Sequence, residues 1–214
     1  MMEPMMEKLL TGKKPEKKLT LRTDANTAKA STPTMEKKQK KVIELPLKVF
    51  LIGFMGSGKS HWGRIWATKN HLKFFDLDAK IEKAFKMTIT EIFEKKGEEK
   101  FRELERYHLR KFDTKKNFVL ACGGGTPCFT DNMDWMKSQG KVFYLKATPE
   151  KILEQVMHET EQRPVIKNVN PSELLFFIQK KLAEREPFYS QADAILDVNL
   201  LDENSLSTLL HDSN

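Results

Sequence analysis

The chain has 214 residues, more than the ~150 of an ordinary domain, so one domain with an appendage is the first expectation. Two cysteines exclude a disulfide-stapled scaffold, no apolar run approaches the ~20 residues a membrane helix needs, and the early acids Glu3, Glu7 and Glu16 fit neither a secretory signal nor a transit peptide. The net charge of +7 belongs to the start of the chain: residues 1–41 hold 11 Lys/Arg against five acids and the remaining 173 hold 26 against 25, so the basic face expected of a nucleic-acid binder is missing from the folded part. The expectation is a soluble, cytoplasmic monomer with small-molecule partners, no nucleic acid and no membrane.

Residues 1–44 read as a basic, disordered extension. Thr23 to Thr34 is almost wholly small or polar, and no sustained apolar period offers surface to offset chain entropy. Met35 offers an alternative start of synthesis. From Leu45 the pattern changes, and residues 45–214 read as one domain. The apolar run Leu47 to Ile52, closed by glycine, predicts a central strand. A helix over His61–Asn70 follows, with Trp62, Ile65 and Trp66 on one face. Phe74-Phe75 predicts a second strand, then helical segments at Ala79–Phe85, Thr90–Lys96 and Glu98–Phe112. Phe118–Ala121 is a third strand, running into Gly123-Gly124-Gly125. Beyond it come a helix at Asp131–Ser138, a strand at Lys141–Leu145, and a helix opened by Thr148 as N-cap and Pro149 at the first position. Pro171–Glu184 is helical, Ala194–Val198 is the last strand, and a helix at Glu203–Leu210 closes the chain. Strands alternating with helices of these lengths imply an α/β fold with a parallel sheet covered on both faces.

Gly53-Phe54-Met55-Gly56-Ser57-Gly58-Lys59-Ser60 satisfies G-x-x-x-x-G-K-[ST] between a predicted strand and a predicted helix, the context a P-loop requires. Glycines let successive N–H groups turn inward on phosphate oxygens, and the following helix aims its positive end at the same anion. Lys59 can reach the β- and γ-phosphates, and the Ser60 hydroxyl is placed for Mg2+.

Asp76 and Asp78 follow the second strand, so both carboxylates belong at the carboxyl edge of the sheet, where open α/β folds bind ligands. One could support hydrated Mg2+ and the other accept a substrate proton; on spacing alone, the pair equally reads as a helix N-cap with a solvated neighbour. Arg102 and Glu105, three apart on a predicted helix, share a face, as a lock on the guanidinium or as a surface ion pair. Three glycines ending a buried strand suggest close approach of backbone to a ligand or to the first loop. Cys122 and Cys128 match neither a zinc nor a redox pattern, and the five histidines have no ligand spacing.

Taken together and in order, the P-loop, Asp76-Leu77-Asp78, Phe101-Arg102-Glu103-Leu104-Glu105 and Cys122-Gly123-Gly124-Gly125 resemble the shikimate kinases, nucleoside-monophosphate-kinase-like P-loop kinases, over about residues 47–198. The resemblance implies a three-layer P-loop NTPase sandwich with a central parallel five-stranded sheet and a mobile lid at about 158–170. It implies transfer of phosphate from ATP, with Mg2+, to the 3-hydroxyl of shikimate. In that reading Gly56, Ser57, Gly58, Lys59, Ser60 and His61 cradle the nucleotide, Asp76 supports Mg2+ beside Ser60, and Asp78 binds the ring hydroxyls and takes the proton. Arg102, the Gly123–Gly125 turn and Arg185, in a run similar to the family's R-x-P-x-Y signature, hold the carboxylate. Arg163 resembles the lid arginine that closes over the phosphates. Lys86 departs from the pattern, standing where many members have glycine at a helix end. A gluconate kinase would not share Arg102, Arg185 and the triple glycine, and a silent P-loop module would need neither Asp76 nor Asp78.

Overall fold

The computed structural model describes residues 47–160 and 170–211. The N-terminal extension, Met35, Arg163 and most of the lid segment lie outside the described residues.

Five parallel strands, β1 (Lys48–Ile52), β2 (Lys73–Asp76), β3 (Phe118–Ala121), β4 (Lys141–Lys146) and β5 (Ala194–Asp197), form one sheet in the order β2-β3-β1-β4-β5. β1 and β3, buried at every residue, occupy the interior, which is why residues 49–52 and 118–121 are apolar runs rather than alternating ones, while Lys48 at the start of β1 donates to Asp113 O and Gln139 Oε1. β1 serves both faces of the sheet. Phe50 and Ile52 enter a core with Leu77, Ile81, Ile92, Phe101 and Tyr189, whereas Val49 and Leu51 enter another with Trp66, Phe143 and Leu206. Helices therefore cover both sides and the architecture is the expected three-layer sandwich.

Among the described residues seven α-helices connect and cover the strands: α1 (Lys59–Lys69), α2 (Leu77–Phe85), α3 (Ile89–Arg110), α4 (Asn132–Gln139), α5 (Pro149–Thr160), α6 (Pro171–Tyr189) and α7 (Ser205–His211). The two helical segments expected on either side of Gly97 are one span bent at that residue, whose φ of 77° is left-handed. Thr88 and Glu91 close a reciprocal capping box at its start. Lys86, at the family's glycine position, is the left-handed end of α2 at φ 52°.

Most boundaries shift by one or two residues from the sequence reading, α2 starting at Leu77 rather than Ala79, and two of the shifts bear on the site. α1 begins at Lys59 rather than His61, so Lys59 and Ser60 are in its first turn. α6 continues five residues past Glu184, through Pro187. An interior proline removes a helix hydrogen bond and costs ~3 kcal/mol, but tertiary anchors hold this last turn. Glu186 accepts from the Tyr144 hydroxyl at 2.9 Å and from Lys146 Nζ at 2.6 Å, and the buried Tyr189 donates to Gly124 O at 2.6 Å.

Candidate active site

Register brings the site together. Asp76 pairs with Ala121 across β2 and β3, and Ala121 with Leu51 across β3 and β1. The residues that follow these three strand ends, Asp78, Gly123–Gly125 and the P-loop, therefore share one edge of the sheet.

The loop from Gly53 to Gly58 turns on positive φ angles, and Gly58 (φ 82°) is the left-handed residue that starts α1. No acidic residue stands in the first turn of that helix, which leaves its positive end free to face an anion. Lys59 is buried and folds over its own loop, donating to Gly53 O at 2.9 Å and Phe54 O at 2.7 Å. Burial lowers its pKa to about 8, against the opposing pull of Asp78. The Ser57 hydroxyl is buried, and His61 is exposed with its ring edge against Trp62.

Asp76 is the N-cap that one reading expects, its neighbour Asp78 is not solvated, and the second oxygen of Asp76 reaches the P-loop serine. Its Oδ1 accepts from Ala79 N at 3.2 Å, capping α2, and its Oδ2 accepts from Ser60 Oγ at 2.6 Å. This pair of hard oxygen donors beside the phosphate loop suits Mg2+, which takes few protein ligands and keeps its waters. Among the described residues no group of three or more His, Cys, Asp or Glu is placed to hold a metal ion.

Asp78, in the first turn of α2, has a buried Oδ1 without a hydrogen-bond partner. Burial, then the charges of Glu105 and Asp76, raise its pKa to about 6. A carboxylate poised there with a free oxygen can take a proton at neutral pH.

The triple glycine is a contact surface on three sides. A Cβ on Gly123 would lie 2.8 Å from both Asp78 Oδ1 and Glu105 Oε1. One on Gly124 would meet Arg185 Nη1 at 3.2 Å and the P-loop atoms Gly53 O and Met55 N at 3.5 Å. One on Gly125 would fall 2.6 Å from Arg102 Nη1. Arg102 and Arg185 thus flank the same turn, next to the phosphate loop. Burial pushes the Cys128 thiol in this turn up to about 11 even though both guanidinium charges act against it.

Arg102 is fixed more firmly than its spacing with Glu105 implied. Nη1 donates to Glu105 Oε2 at 2.9 Å, Nη2 to Glu98 Oε1 at 3.1 Å, and the guanidinium lies 4.1 Å over the Phe129 ring. Glu105 is 1% exposed and its second oxygen accepts from Thr126 Oγ1 at 2.5 Å, so this is a buried network and not a surface pair. Arg185 lies 5.2 Å over Phe54, within the P-loop itself. Sequence reasoning missed Phe129, Thr126 and Phe54, because a stacking or capping partner reached only through the fold has no local spacing signal. The sequence offers Tyr189 only as the end of the signature-like run from Arg185; the continuation of α6 through Tyr189 then puts the two on one helix face.

The family model described as shikimate kinase matches residues 55–212. The chain is 41% identical over 160 residues to the shikimate kinase of Azobacteroides pseudotrichonymphae, covering 74% of this chain and 94% of that one. It is similar to the crystal structure of shikimate kinase from Bacteroides thetaiotaomicron, with a TM-score of 0.74 and 37% identity over 78% of this chain and 99% of that one. A shikimate kinase from Acinetobacter baumannii, solved in complex with shikimate, gives a TM-score of 0.67 and 32% identity over 79% and 93%.

Proposed function

The chain belongs to the shikimate kinase family, and from that membership we propose that it transfers the γ-phosphoryl group of ATP to the 3-hydroxyl of shikimate, giving ADP and shikimate 3-phosphate. The reading rests on one observation above all. Two guanidinium groups, each seated on an aromatic ring, bracket a glycine turn that abuts the P-loop, with a half-buried, proton-accepting carboxylate beside it.

In this reading Arg102, Arg185 and the backbone of Gly123–Gly125 grip the planar carboxylate of shikimate, a task for guanidinium forks rather than ammonium groups. Asp78 orients the ring hydroxyls. The 3-hydroxyl oxygen forms its bond to the γ-phosphorus as the bond to the β–γ bridging oxygen breaks, and the hydroxyl proton passes to Asp78. Gly56, Ser57, Gly58, Ser60 and His61 line the nucleotide's approach, and Lys59 leaves the carbonyls of Gly53 and Phe54 to follow the phosphate charge. Ser60 and Asp76 would hold Mg2+, which when bound neutralises phosphate charge. To Arg163, outside the described residues, the resemblance assigns the role of neutralising phosphate charge from the lid segment at about 158–170. The active unit in this reading is a single chain, since one chain carries both the phosphate cradle and the acid clamp.

A coupled assay of ADP release with shikimate, quinate and gluconate as acceptors tests the reading. Turnover that depends strongly on shikimate is expected. Equal turnover without an acceptor, or preference for gluconate, would refute it.

A further inference from the structure

A second concave site, sharing no lining residue with the cleft, opens where the outer parts of α2 and α3 meet. This cavity of about 410 Å³ is lined by Lys80, Lys83, His108, Lys111 and Lys115 over a floor formed by Phe112. Its volume is within the ~300–1,000 Å³ of small-molecule pockets.

The lysines are held together rather than dispersed. Lys80 Nζ lies 4.6 Å over the Phe75 ring and 5.7 Å over Phe112, and Lys115 Nζ lies 5.5 and 5.7 Å over the same two rings. Two like charges thus share one aromatic edge. Among the described residues, none of the four lysines forms an ion pair with a carboxylate. Burial, then Lys115 and Lys83, lower the pKa of Lys80; burial, then Lys111 and Lys80, lower that of His108. The ordinary role of cations at helix ends accounts for Lys83 in the last turn of α2 and His108 in that of α3. It leaves Lys80, in the middle of α2, and Lys115, beyond the end of α3, without an explanation.

We propose that this cavity binds a small anion bearing two or more phosphate charges. The chemistry of the lining selects the class. Each ammonium is a compact point charge with three donors, and four of them gathered over one aromatic floor meet the charge density of a compact polyphosphate better than that of a singly charged anion. A nucleic-acid strand would need the positive charge to continue along the surface, but residues 42–214 are nearly neutral.

The test uses the full chain with the cleft saturated by magnesium, a non-hydrolysable ATP analogue and shikimate. Inorganic tripolyphosphate, presaturated with magnesium so that it strips none from the cleft, is titrated calorimetrically into this complex and into the double variants Lys80→Glu/Lys115→Glu and Lys141→Glu/Lys180→Glu, which change net charge equally. The expected result is a salt-sensitive binding event that the first variant loses by at least about tenfold and the second retains. No binding to the unmodified complex, retention in the first variant or equal loss in both would overturn the proposal. So would citrate binding as tightly as tripolyphosphate, or a single-stranded oligonucleotide binding more tightly through Lys80 and Lys115.

Discussion

The two halves of the cleft are built from different materials. The phosphate half is main chain: a glycine loop, the bare start of α1, and a single lysine folded onto the loop's own carbonyls. The acid half is side chain. Arg102 is held by Glu98, Glu105 and Phe129, Glu105 is held by Thr126, and Tyr189 ties the end of α6 to Gly124. Groups already fixed pay little ordering cost when a ligand arrives, whereas Lys59 must exchange two hydrogen bonds for phosphate oxygens. Damage at the junction with the phosphate half should therefore fall on turnover, and damage in the acid half on affinity for shikimate.

The largest effect is expected at Asp78, where the halves meet. Asp78→Asn should lower kcat by ~10²–10⁴-fold with shikimate binding much less affected; an unchanged kcat would remove Asp78 as the base. The same variant should be more stable. The folded pKa, about 6, is above the ordinary value of 3.8, so ionised Asp78 opposes folding at neutral pH, and its contribution to stability rises as pH falls through 6 toward 4. Removing the charge should stabilise by about 1–3 kcal/mol, read as a higher Tm at pH 7 and no gain near pH 4. In the unmodified protein, kcat/KM should fall below about pH 6 as Asp78 takes up a proton.

Within the acid half, Arg102→Lys should raise KM for shikimate by ~10–100-fold, the loss of one bidentate charged contact, while KM for ATP changes less than about twofold. A fall in ATP affinity would erase the division between the halves. Gly125→Ala sharpens it further, because the new methyl would lie 2.6–2.8 Å from the Arg102 guanidinium. Arg102 must shift to admit it and strain its bond to the buried Glu105, so KM for shikimate should rise several-fold and Tm should fall, with kcat nearly unchanged. The smallest effect is expected for Glu186→Gln, which breaks the partly exposed pair with Lys146 and weakens the bond to Tyr144. A loss of about 1 kcal/mol, or ~2–4 °C in Tm, is expected, and a kinetic defect larger than the thermal one would make this anchor part of the clamp.

What could be read from sequence follows the range of each interaction. The buried strands and the P-loop were legible because apolar runs and glycine spacing are local. Arg102 and Glu105 were legible as neighbours for the same reason, but spacing along a helix says nothing of what packs outside it, and burial by Phe129 and Thr126 turned a surface pair into an interior network. Asp76 presented a false choice: its two oxygens allow it to cap α2 and meet Ser60 together. The end of α6 was misjudged because the proline rule is local, while the contacts that override it come from β4 and the glycine turn, some 40 and 65 residues away in sequence.

The packing against Gly58 has a practical consequence. A Cβ on that glycine would lie 3.3 Å from Trp62 Cδ1, and Trp62 stacks on Trp66 with ring centroids 5.9 Å apart. The nucleotide loop thus rests against a native fluorophore whose emission is sensitive to the loop's polarity and motion. Seating of a nucleotide can be timed by rapid mixing in unlabelled protein, and replacing Trp135 on α4 by phenylalanine would remove the one tryptophan that sits elsewhere.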